Sequence, residues 1–500
     1  GNGSATHALY LDGDMIEGSA NAWVKVQGGI DAVLLEGVDD LIRHVSGCGE
    51  QSLSMLSIDI LAYATVMELQ ATPEKMFEYE SIVNQGLQHE LMYLLESNNG
   101  VGRGIVWFPG DQDVHPWLTS WGLIAFQDAI NAGFGLDEDI ITDMQDWLMS
   151  IQQDDGSWEF PDWGIYEFNN PILQAKQVAA TGYIARALLH SGVPGDDPHI
   201  QAAVDFVEGE ISTIQDDPYS LSLSLLLLQA GGGSSMLRAD IAETLEDLKI
   251  ADNGTVHWDS DVNLVSDGDF YWGGCSPRII ETTGYAAMAL DGEQGHRTTV
   301  DGAVKYLLDH RGELGGWMST QDTVVAFHAL AAVTGENSVE DVQVQVLVEG
   351  SVIETIDMGE FNKDVTYLVD LRPHLANVTN VTVSCTGEGA VLYSVYLEQY
   401  VPWPDMPESS PFLTLEVTYD TTTIAVDDRL RAHLYLLYNG TAEVLKMILV
   451  DLRAPMGFAF DLSEFDALDA QGVISSYDSN DRQVVVYITD VASGVAVEFD

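Results

Sequence analysis

No stretch constrains this chain more than Gly47-Cys48-Gly49-Glu50-Gln51. A cysteine thiol and a glutamine carboxamide three residues apart can condense, with loss of ammonia, into a thioester that closes a small ring across Cys48 and Gln51. The residues that follow, 52–70, read as one apolar helix (Leu53, Leu56, Ile60, Leu61, Val66, Met67, Leu69). Cys48 then falls at a helix N-terminus and Gln51 in its first turn, on a shared face. Gly47 and Gly49 let the backbone fold tightly around the ring, Glu50 completes the run, and the helix N-terminus is expected to favour the thiolate needed to form the bond. The plain alternative is one buried cysteine behaving as a small hydrophobe ahead of a helix.

The pentapeptide resembles the thioester signature of the alpha-macroglobulin and complement family. Gly37-Val38-Asp39-Asp40-Leu41-Ile42 is similar to the family's lead-in, and Ser319-Thr320-Gln321-Asp322-Thr323-Val324-Val325-Ala326 to the end of the same domain. The resemblance implies a helical toroid carrying the thioester, flanked by β-rich modules, in an extracellular or cell-surface protein. Such a protein captures targets covalently, in a protease-trapping or defence role. It is not an enzyme: one acyl transfer to a target amine consumes the bond, with endopeptidase inhibition as the outcome, and neither cofactor nor metal is implied.

Composition bounds the alternatives. Acidic residues number 79 against 19 basic ones, a formal charge of −60 spread along the chain. Such a surface repels nucleic acid and anionic membrane. Only seven lysines remain; this depletion fits a halophilic surface, where salt relieves self-repulsion, and leaves few internal amines to attack the thioester. With Cys48 committed to the ring, Cys275 and Cys385 are expected as free thiols. No 18-residue apolar run marks a membrane span, and no signal peptide is visible. Asn2, Asn253, Asn377, Asn380 and Asn439 head glycosylation sequons, usable if the chain is exported.

The periodicity of the sequence changes twice, giving a multidomain chain of α and β parts. Residues 1–30 have strand character; the resemblance implies that they are the end of a split CUB-like β-module. Residues 31–335 carry apolar helices at 82–95, 117–132, 137–151, 177–190, 200–210, 218–230, 238–249, 279–290, 298–308 and 320–334. Gly/Trp-marked loops around Trp107, Trp158, Trp258 and Trp317 separate alternate pairs. Helix pairs repeating with the same loop chemistry imply an (α/α)6 toroid, an architecture that also houses glycosidases, polysaccharide lyases and terpene cyclases. The loops are expected to cap hairpins structurally; a carbohydrate platform is the alternative. Residues 336–404 alternate with period two; by the resemblance they are the returning half of the CUB-like module. Past the linker at 401–407, residues 409–500 read as a β-sandwich, which the resemblance implies is of the macroglobulin receptor-binding type. With so few strands ahead of the toroid, the split module is expected to leave an exposed apolar face, completed by an upstream part of the precursor or by neighbouring copies.

The resemblance also assigns further residues. Met456 and Tyr487 fall at positions that shield the thioester from water. Asn169, beside Asn170, takes the place of the histidine that complement-type members use to accept the acyl group. An amide can be neither nucleophile nor base, so the chain is similar to the macroglobulin type, which reacts directly with amines. His44 reads as a surface residue. Two rival readings remain: a covalent adhesin or filament cross-linker, which needs only the thioester and β-modules, and a toroid carbohydrate-active enzyme using carboxylates among Asp154, Asp155, Glu159 and Asp162. A protease trap needs a bait region, and no such stretch occurs in these 500 residues.

Overall fold

The computed structural model describes residues 3–28, 48–68, 73–159, 177–259, 279–333, 341–402 and 412–500, apart from 109, 110, 112, 313–315, 318, 360, 363, 364, 389, 390, 422, 426, 427, 441, 442, 455, 456, 480 and 481. Two strands come first, β1 (Gly3–Tyr10) and β2 (Asn21–Gln27). Helical hairpins follow: α1 (Gly49–Glu68) with α2 (Pro73–Glu90), α3 (Pro116–Asn131) with α4 (Glu138–Ser150), and α5 (Gln177–His190) with α6 (Pro198–Glu210). Next come α7 (Pro218–Ala230) with α8 (Ser235–Leu248), α9 (Ile279–Asp291) with α10 (Arg297–Asp309), and α11 (Thr320–Val333). The first helix of each pair is the apolar one, and each touches the next: α1 against α3, then α5, α7, α9, α11 and back to α1. That closed cycle is the inner ring of an (α/α)6 toroid, with the partner helices packed outside it.

Composition sorts the helices between the rings. Helix α7 buries Tyr219, Leu221, Leu223, Leu225, Leu227 and Leu228 around most of its circumference, as a helix enclosed by neighbours must. Its outer partner α8 buries only Ile241, Ala242 and Leu245. Proline at the first turn of α3, α6 and α7 starts those helices where no backbone N–H is needed.

The tryptophan-marked loops lock the hairpins together. Trp158 and Trp258 are fully buried, and their indoles donate to the Leu148 and Leu245 carbonyls at 2.7 Å; Trp317 donates likewise to Leu307 at 2.8 Å. The backbone N–H groups of Ile105, Trp158, Trp258 and Trp317 donate to the hydroxyls of Thr119, Thr181, Thr283 and Thr323, each in the first turns of the next inner helix. Indoles as enclosed and hydrogen-bonded as those of Trp158 and Trp258 offer no platform to a sugar. Two small hairpins accompany the loops, β3 (Leu94–Glu96) with β4 (Arg103–Ile105) and β5 (Ile250–Asp252) with β6 (Thr255–His257).

Beyond the helices lie β7 (Asp341–Val348), β8 (Ser351–Gly359), β9 (Tyr367–Asp370), β10 (Val378–Glu388) and β11 (Leu392–Glu398). They combine with the two early strands into sheets ordered β1-β10-β7-β8 and β11-β2-β9. The alternation read in the sequence is the pleat: Val342, Val344, Val346 and Val348 lie beside Val381 and Val383 of the same sheet and share one core with Val24 and Val26 of the other. These inward valines are all buried, while Val352, Leu368 and Val378 of the same module are exposed.

The last elements are β12 (Leu413–Tyr419), β13 (Ala432–Tyr438), β14 (Val444–Arg453), α12 (Leu462–Ala470), β15 (Ser476–Ser479), β16 (Gln483–Ala492) and β17 (Ala496–Phe499). They form sheets β12-β13-β17 and β14-β16-β15 around a third core. Here an apolar row is exposed: Leu415, Val417 and Tyr419 on edge strand β12 are 51%, 39% and 56% accessible. Val485 and Tyr487 of β16 point the other way, into the core of the toroid.

Candidate functional site

Cys48 immediately precedes α1, is 3% exposed, and its carbonyl accepts from the Ser52 N–H at 2.9 Å. It is therefore the N-cap residue, and Gln51 is the third helical residue. In a capping box the side chain at that third position reaches back to the N-cap N–H, and Gln51 does so, with Oε1 3.4 Å from the Cys48 nitrogen. The Cys-x-x-Gln spacing thus uses a local geometry that helices adopt without help. Condensation would remove Nε2 and keep Oε1, so the oxygen in this contact is the one that becomes the thioester carbonyl.

Glycine is required between them. The Gly49 N–H donates to the Trp107 carbonyl at 2.8 Å, and a Cβ there would lie 2.4 Å from the Val106 carbonyl oxygen. Glu50 is buried and accepts the Thr320 hydroxyl at 2.5 Å, with the Gln321 side chain as a second partner. This joins the first inner helix to the last. Burial holds the Glu50 carboxyl above the usual range, against the pull of these two hydrogen bonds.

Tyr487 covers the motif. Its ring meets Phe108 edge-on, centroids 5.1 Å apart, and its hydroxyl donates to Gln51 Oε1 at 3.0 Å. Beneath lies an aromatic floor, with Trp107 against Trp117 at 5.7 Å and Trp117 against Trp121 at 5.8 Å. His115 joins it edge-on to Trp107, kept neutral because burial lowers its pKa to about 3. On the remaining side Ser52 Oγ is 3.0 Å from His89 Nδ1, and Glu90, fully buried, faces the same hydroxyl.

One expectation is corrected. The helix N-terminus does not leave Cys48 as a thiolate: burial raises the thiol above its ordinary range, and the Glu50 charge adds to this. The backbone N–H groups of Gln51 and Glu50 pull the other way without compensating. An enclosed sulfur with carboxyls nearby is more stable acylated or protonated than charged.

Gly47, His44, Asn169, Asn170, Met456, Asn2, Asp162 and Cys275 lie outside the described residues. Cys385 is a free, half-buried thiol. Asn253 sits at φ 48° in the β5–β6 turn, and with Asn377, Asn380 and Asn439 it is exposed. The acidic candidates for sugar hydrolysis serve local roles: Asp155 accepts from the Ser157 N–H and hydroxyl, and Glu159 accepts from Gln177. Between the inner helices, Trp117, Tyr183, Glu281, Tyr285 and His328 line a cavity of about 40 Å³, room for a few waters. No metal-ligand cluster occurs among the described residues. Sequence reasoning missed His89, Glu90 and Phe108, named Trp107 only as the mark of a loop, and quoted Thr320 and Gln321 only as the end of a domain.

A closed toroid presenting a capped Cys–Gln pair under a tyrosine from a β-sandwich defines a thioester-domain protein. The chain belongs to the alpha-macroglobulin family: the A-macroglobulin TED domain matches residues 22–333. Mouse alpha-2-macroglobulin-like protein 1 is 22% identical over 499 residues, 97% of this chain and 33% of that protein. Two crystal structures of Salmonella alpha-2-macroglobulin, one of a point mutant and one of protein reacted with methylamine, each give a TM-score of 0.58 at 15% identity, over 100% of this chain and 31% of theirs. The chain spans about a third of the length of these relatives. No described helix is long and apolar enough to cross a membrane.

Proposed function

We propose that Cys48 and Gln51 form an internal thioester and that the chain is the covalent-capture part of a protease-trapping alpha-macroglobulin acting outside the cell. The observation that carries this reading is the reach of Gln51 Oε1 back to the Cys48 N–H beneath the Tyr487 hydroxyl. An amine attacks Cδ of Gln51, the C–N bond forms, the C–S bond breaks, and the target stays on Gln51 while Cys48 becomes a thiol. Negative charge gathering on Oε1 during the attack meets the Cys48 N–H, a donor suited to a tetrahedral intermediate.

Tyr487, Phe108 and the aromatic floor keep water from the bond until β16 moves away, as a bond hydrolysable at neutral pH requires. Asn169, in place of a catalytic histidine, makes amines the preferred targets. The exposed sequon asparagines fit an exported chain. Intact mass before and after methylamine is the test. We expect one methylamine per chain and one new titratable thiol, with both lost in Cys48→Ala. Unchanged uptake in that variant refutes the assignment.

A further inference from the structure

We propose that the cavity between the inner helices binds a small monovalent anion of chloride's size, with Arg186, Tyr183 and His328 as its donors. This does not depend on the thioester reading above. Arg186 and Tyr183 stand three residues apart on α5 and share the face that lines the cavity, and His328 of α11 lines it with them. The space is about 40 Å³, against roughly 10–15 Å³ for a single water on the same measure. A halide and its waters fill it.

Each of these groups has a hydrogen to give and, among the described residues, no acceptor for it. Arg186 lies over the Tyr285 ring, its central carbon 5.8 Å from the centroid, a cation–π contact that takes up none of its five N–H donors. Tyr183 is 6% exposed, and its oxygen accepts the Trp117 indole N–H, so its own O–H is left to donate. Burial keeps His328 neutral, with one N–H to offer. The nearby carboxylates are turned to other partners. Glu281 accepts the Tyr219 hydroxyl at 2.7 Å, and Asp128 bonds His190 at 2.6 Å, feeling the Arg186 charge only at longer range. Elsewhere on the toroid Arg103, Arg238 and Arg297 each hold a carboxylate at ion-pair distance; Arg186 holds none among the described residues. Water could complete the hydrogen bonds but not balance the charge, and a cation drawn part-way out of water is costly without a counter-ion. In the ring order α1, α3, α5, α7, α9, α11, helices α5 and α11 stand opposite each other. The anion braces them across the middle, beside Gln321, whose side chain also reaches Glu50.

The full chain is titrated with sodium chloride at fixed ionic strength, with sodium gluconate, too large to enter, making up the balance. Screening is then constant. We expect an excess broadening of the chlorine NMR line that saturates with chloride and is displaced by bromide, and a melting temperature that rises over the same concentrations. Arg186→Gln should weaken chloride binding at least about tenfold, as loss of a charged donor predicts. Tyr183→Phe, which removes one neutral donor, should weaken it about threefold or more. No saturable broadening in the wild type overturns the proposal and makes water the occupant. Equal binding by folded Arg186→Gln also overturns it, since the ion then sits elsewhere. If Arg186→Gln does not fold, Tyr183→Phe decides: weakened binding supports the site, and unchanged binding overturns it.

Discussion

Cys48 and Gln51 form a helix cap before they form a reactive pair, and this is why they were legible in the sequence: the geometry is local and its residues are neighbours. Their surroundings were not legible for the opposite reason. His89 and Glu90 sit in the polar sequence of α2, where a histidine and a glutamate read as solvated surface. Only the crossing of α2 over the start of α1 encloses Glu90. Two predictions belong at this scale. Gly49→Ala should destabilise the chain by about 1–3 kcal/mol in urea unfolding, because its methyl meets the Val106 carbonyl and the backbone there must shift. Stability should also fall as pH rises. Glu90 and Asp59, both raised to about 8 by burial, hold protons in the folded state that the unfolded chain releases above their ordinary values of 4.5 and 3.8. Their contribution is complete below about pH 4 and lost by about pH 8, with a slope of up to about 1.4 kcal/mol per pH unit for each group. Glu50 adds in the same direction. Unfolding free energies measured across that range, with Glu90→Gln showing a shallower slope, check the sign.

Among elements, the inner helices were read well because an enclosed helix announces itself as a nearly continuous apolar run. Helix α2 was read late, from residue 82; it begins at Pro73, with an exposed Phe77 and a polar first half that carries no strong period. Strands β8 and β9 carry little of the period-two signal because they lie at sheet edges and bury few side chains, so the alternation that marks β7 fades. The threonine contacts recur too far apart to be noticed as a motif, although each hydroxyl receives the N–H of a loop residue. Thr181→Val keeps the shape of the side chain and strands the buried Trp158 N–H, which should lower stability by about 1–3 kcal/mol. Thr181→Ser should cost under about 1 kcal/mol, and chemical denaturation of the pair separates the hydroxyl from the methyl.

The whole molecule is organised by contacts between distant parts. Tyr487 comes to Gln51 across 436 residues, bringing β16 onto the toroid. Tyr487→Ala should leave the helical ring folded while speeding both water and methylamine attack on the thioester, read as faster thiol release at constant pH. The charge of −60 repels itself over the entire surface, and the melting temperature is expected to rise between about 0.1 and 2 M sodium chloride as that repulsion is screened. Cys48 meets its helix partner within four residues, yet the neighbour that fixes Glu50 beside it is Thr320, 270 residues later in the chain. At a synthesis rate of about 5–20 residues per second, that partner emerges from the ribosome about 15–55 s after the cysteine. For that interval Glu50 lacks the contact that ties the first inner helix to the last, and the helix start that carries Cys48 and Gln51 stands without its anchor.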